Sequence, residues 1–424
     1  MNSKNSRLKA LVYAGAKAKQ LTFSQALVER LAVELGAIEK AGCADYLLVY
    51  KGIIDICNQH DLLRSPGRGS ACGSLVNYCL DITKINPLDE NLIFERFLNT
   101  AVTKQLDIDI DIPMGKRELV LEELKKAFPD YHIHLVAFEP PKEGLETSID
   151  LNGVKYREHP CAIIISKVSY PSIPQAEIGS NRYYLIHEYP EGMKKLEAHK
   201  FDVLELEYLN RLEQIAAQLD PKFHPYLLDK NDPETLAFFA KDDMENIFQF
   251  SSKSLGQIVA DFKPQRFQDL IIINALFRPG ALTTIPKVIK NKNQGYHEIY
   301  PSEPKMAMIL EETYGLILYQ ETFMHIAVQV AGFSYTEADS YRRVLARTDD
   351  YSLVENFKVE FGEACKKNSC LSPVEIEHLT ENCVQSMAHA FNKSHSASYA
   401  TVAFWCAYYK THFRDVFEGV FKKQ

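Results

Sequence analysis

The run Asp107-Ile108-Asp109-Ile110-Asp111-Ile112 constrains this chain more than any other segment. Acidic and β-branched residues alternate strictly through it, which predicts a β-strand over residues 106–112. On a strand the three aspartates share one face and the three isoleucines take the other. The isoleucines would pack inward. Three carboxylates so close together repel one another unless a cation lies between them. An all-oxygen donor set suits Mg²⁺ or Mn²⁺. Two such ions can clamp the attacking and leaving oxygens of an in-line phosphoryl transfer. Two plainer readings stay open on these residues alone. One is a solvated acidic face. The other is a calcium loop, because Asp107, Asp109, Asp111 and Glu118 fall at the first, third, fifth and twelfth places of an EF-hand pattern. Against it, Ile112 stands where that loop needs glycine, and Pro113 follows.

Upstream lies a breaker-rich stretch, Ser65–Ser74, containing Pro66-Gly67-Arg68-Gly69-Ser70 and opening a short helix. Backbone N–H groups at such a helix start can hold phosphate, glycine lets the backbone come close, and Arg68 adds charge. A plain tight turn is the competing reading. Before it, residues 24–60 carry apolar residues at helical spacing and read as two helices. After the aspartate strand come a charged helix over 116–128, an irregular segment around Pro140 and Pro141, and strands near 161–170, 183–190 and 199–206. From there the chain turns helical. The fold class read from this pattern is α+β, with a mixed sheet first and helices after.

A formal net charge of −8 disfavours a general nucleic-acid binder, but Arg342, Arg343 and Arg347, and Lys287, Lys290 and Lys292, form local basic clusters. The nine cysteines are odd in number and include no C-x-x-C pair, which argues against a zinc site or a disulfide framework. No apolar run reaches the roughly 18 residues of a membrane span, and the N-terminus has no signal-peptide core, so a cytoplasmic protein is expected.

The segment from Ser65 to Asn99, followed by the aspartate strand, resembles the palm of the bacterial DNA polymerase III α subunit, the C-family replicative polymerases. That family has a PGRGSxxGSLVxY loop-helix, a DP-L-x-LFERFLN stretch and a PD-x-D-x-D strand. Asn86 and Leu106 depart from it, at positions that are not expected metal ligands. The likeness continues in family order. His159-Pro160-Cys161-Ala162 resembles H-A-x-G, and Lys200-Phe201-Asp202-Val203-Leu204 resembles K-x-D-x-L. Phe277-Arg278-Pro279-Gly280 is similar to YRPG. Thr313–Ala327 and Gly332–Arg347 resemble the TYG…YQE and EAD…RR segments, and Phe391–His395 with Tyr399 resembles FNKSHAxxY.

The resemblance implies a polymerase-β-like nucleotidyltransferase palm with a mixed sheet, a reduced thumb and α-helical fingers. The expected divisions are residues 1–112 and 159–206 for the palm, 113–158 for the thumb and 207–424 for the fingers. Asp107, Asp109 and Asp202 would bind two Mg²⁺ ions, or Mn²⁺, with Asp111 as a fourth carboxylate. Arg68, Gly69, Ser70 and Lys200 would meet the incoming triphosphate. Arg342, Arg343 and Arg347 would meet triphosphate or template phosphate, and His395 and Tyr399 would stack on the nascent base pair. The implied function is template-directed DNA synthesis from dNTPs on a primer–template. The short thumb segment motivates an alternative, a template-independent or primer-making nucleotidyltransferase; a catalytically silent assembly module is the third reading. The metal-binding PHP domain, the clamp-binding motif and the OB domain of large family members are expected to be missing. An accessory protein would then supply duplex grip or processivity, as in a phage-encoded form.

Overall fold

The computed structural model describes residues 3–101, 106–138, 149–151, 154–170, 173–178, 181–186, 200–241, 243–278, 280–295, 300–347 and 351–422, with nothing assigned to the side chains of Leu151 and Arg347. Three amphipathic helices open the chain: α1 (Ser3–Ala18), α2 (Gln25–Lys40) and α3 (Ala44–Gln59). Each buries a stripe at helical spacing, such as Leu27, Leu31 and Ile38 on α2. The glycine-rich loop contains a 3₁₀ turn, Gly69–Gly73, and leads into the short α4 (Leu75–Cys79). There follow β1 (Asp109–Pro113), α5 (Arg117–Ala127), β2 (His132–Phe138), β3 (Ile149–Leu151), β4 (Val154–Ser166), β5 (Gln175–Ile178), β6 (Asn181–Ile186) and β7 (Lys200–Leu206).

The strands form one mixed sheet in the order β1-β7-β4-β2-β6-β5, with β3 paired to the start of β4. β1 runs parallel to β7, and β7 antiparallel to β4. Ile108, Ile110 and Ile112 are buried in the same core as Phe201, Val203 and the apolar faces of α1 to α5. The opposite face carries a smaller cluster of Val136, Ala162, Ile164, Tyr184 and Ile186.

Of residues 113–158, expected as a reduced thumb, the described ones pack on or into this layer. α5 packs on α3, and β2 lies inside the sheet, antiparallel to β4 and parallel to β6. The strand escapes a period-2 reading because Ile133, Leu135, Val136 and Ala137 are all buried. A strand covered on both faces has no reason to alternate. Residues 139–148 and 152–153 of the expected thumb lie outside the described residues.

The second half is helical: α6 (Glu207–Ala216), α7 (Pro233–Phe238), α8 (Lys253–Phe262), α9 (Phe267–Leu276), α10 (Ile285–Gln294), α11 (Pro304–Leu310), α12 (Gln320–Gln329), α13 (Tyr335–Arg347), α14 (Tyr351–Asn368), α15 (Pro373–Met387), α16 (Lys393–His412) and α17 (Arg414–Phe421). α16 is buried on nearly every side and forms the axis of one core. The helices α11 to α15 build another. No helix among the described residues is long and apolar enough to cross a membrane.

Two anchors fix the elements around the aspartate strand. The Tyr46 hydroxyl on α3 reaches the carbonyls of Leu106, at 3.0 Å, and Lys200, at 2.7 Å, tying together the two segments that lead into β1 and β7. Tyr50 donates to the Ile108 carbonyl. Both rings pack on Phe201, with centroids 4.6 and 4.8 Å away. On α2 the fully buried Glu34 accepts from Ser74 Oγ and from the N–H groups of Leu75 and Val76, placing a carboxylate at the start of α4. Tyr46→Phe removes the hydroxyl bridge and leaves carbonyls short of a donor. It should lower unfolding free energy by about 1–3 kcal/mol in urea titration. A loss below a few tenths would mean that the bridge does not hold the strands.

Candidate active site

In β1 and β7 the Cα of Asp109 lies opposite that of Asp202. The parallel register therefore sets two acidic residues side by side, and Asp107 precedes them on the same strand face. The three residues bring carboxylate oxygens within 4.8 Å of one another. Asp107 is exposed, Asp109 half-buried and Asp202 buried, so the cluster opens outward from a dry floor. Burial, then the charges of Asp202 and Asp107, push the Asp109 carboxyl up to about 6, with Arg68 opposing them. Lys200, two residues before Asp202 and on the same face, places Nζ 2.5 Å from Asp202 Oδ2. The donors are all hard oxygens crowded against each other, a set whose ligand type suits a hard divalent cation.

Asp111 is not in that cluster. It is buried, and its oxygens accept from Ser65 Oγ at 2.8 Å and Arg68 Nη1 at 3.1 Å. The third carboxylate of the row thus clamps the glycine-rich loop. Arg68 also approaches Asp109 Oδ2 at 3.4 Å, and its guanidinium carbon lies 5.9 Å from the centre of the Tyr399 ring.

The loop needs its glycines. Gly67 has φ of 138°, and a Cβ there would come within 2.5 Å of Cys72 Sγ; Gly69 has φ of 60°. From the other side, the start of α16 holds the loop. Gly69 N–H donates to His395 Nδ1 at 3.1 Å, Ser394 Oγ donates to the Gly69 carbonyl at 2.8 Å, and Ser398 Oγ donates to the Gly67 carbonyl. His395 and Tyr399, one turn apart on α16, lie against each other with ring centroids 4.3 Å apart and planes tilted by 42°. Ser70 is half-buried in the 3₁₀ turn. The structure therefore brings together Asp107, Asp109, Asp202, Lys200, Arg68, Gly69, His395 and Tyr399.

Arg342 and Arg343 form a second group. Both hold Asp339, through Nε at 2.7 and 2.8 Å, and Asn99 joins them. Burial and then the charge of Arg96 lower Arg342 to about 10. The cap of α13 lies upstream of this group. Ser334 and Glu337 bond reciprocally at the start of that helix, while Asp339 is buried beneath the arginines. Arg347 ends α13, and its side chain lies outside the described residues.

Comparison with known proteins bears on the same segments. The family model for the bacterial DNA polymerase III alpha NTPase domain matches residues 6–139, and that for the bacterial DNA polymerase III alpha subunit finger domain matches residues 205–369. The chain belongs to the bacterial DNA polymerase III α subunit family. DNA polymerase III subunit alpha of Halalkalibacterium halodurans is 28% identical over 473 positions, covering 97% of this chain and 42% of that protein. That of Ureaplasma parvum serovar 3 is 28% identical, covering 97% and 49%. That of Streptococcus pyogenes serotype M18 is 29% identical, covering 99% and 46%. The chain spans less than half the length of these curated relatives. The matched stretches exceed the 424 residues of the chain, so these polymerase III α relatives carry additional segments within them.

Several contacts of this polymerase III α fold escape a reading of motifs. Glu321 accepts from the N–H groups of Lys393 and Ser394, at 2.9 and 3.4 Å, and so fixes the start of α16. Gln320 accepts from Arg96 Nε at 2.8 Å and from Arg342 Nη1 at 3.5 Å. The Tyr-Gln-Glu triplet was visible as a family motif, but its clasping role needed the fold.

The His395 contact gives a pH prediction. Burial, then the charge of Arg68, lower its imidazole to about 4. An unfolded chain would bind that proton near pH 6.5. The stability it contributes is therefore complete above about pH 6.5 and is lost as pH falls towards about 4. In urea unfolding, His395→Asn should flatten that acid slope; an unaltered slope would assign it elsewhere.

Proposed function

We propose that this chain is a template-directed DNA polymerase that adds dNMP units to a primer 3′-hydroxyl and releases pyrophosphate. The observation that carries this reading is the Asp107–Asp109–Asp202 cluster, built by strand register in a chain of the polymerase III α family. The fold expected for the domain is a polymerase-β-like palm with α-helical fingers.

Asp107, Asp109 and Asp202 would hold divalent metal, Mg²⁺ or Mn²⁺, which when bound supplies charge neutralisation for the triphosphate and favours the ionised primer hydroxyl. The protein's own groups do the rest. Arg68, already aimed at the carboxylates, would bind triphosphate oxygens, and Lys200 would add a positive charge beside Asp202. The Gly69 N–H and Ser70 would border the phosphates. His395 and Tyr399, packed together on α16, would offer a surface to the nascent base pair. Arg342, Arg343 and Arg347 on α13 would meet phosphate from the fingers side. Asp111 would act by positioning Arg68 and not by ligating metal.

A second reading is template-independent or primer-making transfer. It is favoured by residues 113–138, whose helix and strand pack into the sheet layer. An accessory protein gripping the duplex would serve the first reading. The intact carboxylate set argues against a catalytically silent module.

Primer extension by the purified chain with Mg²⁺ and dNTPs tests these readings. Asp202→Asn should reduce incorporation on the order of 10²–10³-fold, whereas Asp111→Asn should chiefly raise KM for dNTP. Undiminished synthesis by Asp202→Asn would remove the site assignment. Equal extension of single-stranded and primed DNA would favour the second reading.

A further inference from the structure

Asp202 has neighbours on both sides. On one side it meets Asp107 and Asp109. On the other lies β4, whose Ala162 is its antiparallel register partner. That pairing sets Cys161 Sγ 3.3 Å from Asp202 Oδ1, and His159 Nδ1 lies 3.5 Å from the same sulfur. The imidazole nitrogen, the sulfur and a carboxylate oxygen lie within 4.8 Å of one another. His159 Nδ1 accepts from the N–H groups of Cys161 and Ala162, at 3.3 and 3.0 Å. This nitrogen therefore presents its lone pair and not a proton.

The spacing of the donors around Cys161 suits a tetrahedral zinc site. With usual Zn–S and Zn–N or Zn–O bond lengths, the ligand-to-ligand edges of such a site are about 3.5 Å. The two edges measured at Cys161 agree with that to within a few tenths of an ångström. The donor set differs in kind from the triad: one sulfur, one imidazole and one carboxylate select a soft or borderline ion over Mg²⁺. Cys161 and Asp202 sit on adjacent sheet strands, so the cluster is held by backbone pairing.

We propose that His159, Cys161 and Asp202 form a second divalent-cation site, selective for Zn²⁺, that shares Asp202 with the carboxylate triad. On binding, the Cys161 thiol releases its proton to solvent and a Zn–S bond forms. Nδ1 exchanges its two backbone contacts for the metal, and the Asp202 oxygen that had accepted from the thiol becomes a ligand. Water fills the fourth position. Lys200 stays on the other oxygen of Asp202. Zn²⁺ here draws Asp202 away from Asp107 and Asp109, so it opposes Mg²⁺ at the triad. Binding itself is independent of the polymerase reading; only the inhibitory consequence rests on it.

The test uses the full chain with Co²⁺ as a spectroscopic probe, without DNA. The wild type should take one equivalent of Co²⁺ with a thiolate charge-transfer band that Zn²⁺ displaces. Cys161→Ser should lose the band and bind Zn²⁺ about 10–100-fold more weakly; Cys161→Ala should do the same. In primer extension with millimolar Mg²⁺, micromolar Zn²⁺ should inhibit the wild type but not Cys161→Ser, each measured against its own zinc-free rate. A wild-type protein without the band, or a Cys161→Ser protein that keeps it, overturns the site. Zn²⁺ inhibition undiminished in Cys161→Ser overturns the competition. Should no variant extend a primer, the spectra still decide whether the site exists.

Discussion

The parallel pairing of β1 with β7 is the constraint on which the candidate site depends. Asp109 and Asp202 are far apart in the chain, and only the register that sets them opposite each other makes a common anionic pocket. The arrangement opposes its own electrostatics. It persists because the other face of the same strand buries Ile108, Ile110 and Ile112, and because Tyr46 and Tyr50 hold the carbonyls that flank it. Apolar burial and satisfied backbone groups offset the desolvation and repulsion that together raise the Asp109 carboxyl.

A second dependence links the two halves of the chain. The glycine-rich loop belongs to the N-terminal half, yet its carbonyls and one N–H are held by Ser394, His395 and Ser398 of α16. The start of α16 is in turn fixed by Glu321 on α12. Asp111 grips the loop from below through Ser65 and Arg68. The groups proposed to meet the nucleotide therefore come from both halves, and Gly69 and His395 are hydrogen-bonded across the divide. Displacing α16 would alter the loop directly.

What the sequence made legible follows from the range of the physics involved. The aspartate row was readable because strand alternation is local, and the same holds for the helical spacing of His395 and Tyr399. Asp202 carries no local mark; a single acid in Phe201-Asp202-Val203 is ordinary, and only family resemblance singled it out. β2 was missed because a strand covered on both faces loses its alternation. Asp111 was grouped with its neighbours by spacing, while the contacts with Ser65 and Arg68 that occupy it depend on a loop more than forty residues earlier. Cysteine spacing argued against zinc, and the His159–Cys161–Asp202 cluster arises only when β4 lies against β7.

β1 is also the outermost strand of its sheet. An edge strand of this kind offers backbone groups that another chain could extend into an intermolecular sheet. Here the Ser65 N–H bonds the Asp111 carbonyl on that rim, and charged side chains stand along the strand. Charge along an edge strand disfavours pairing with a second copy, so a chain stripped of these aspartates would lose that protection together with its carboxylate cluster.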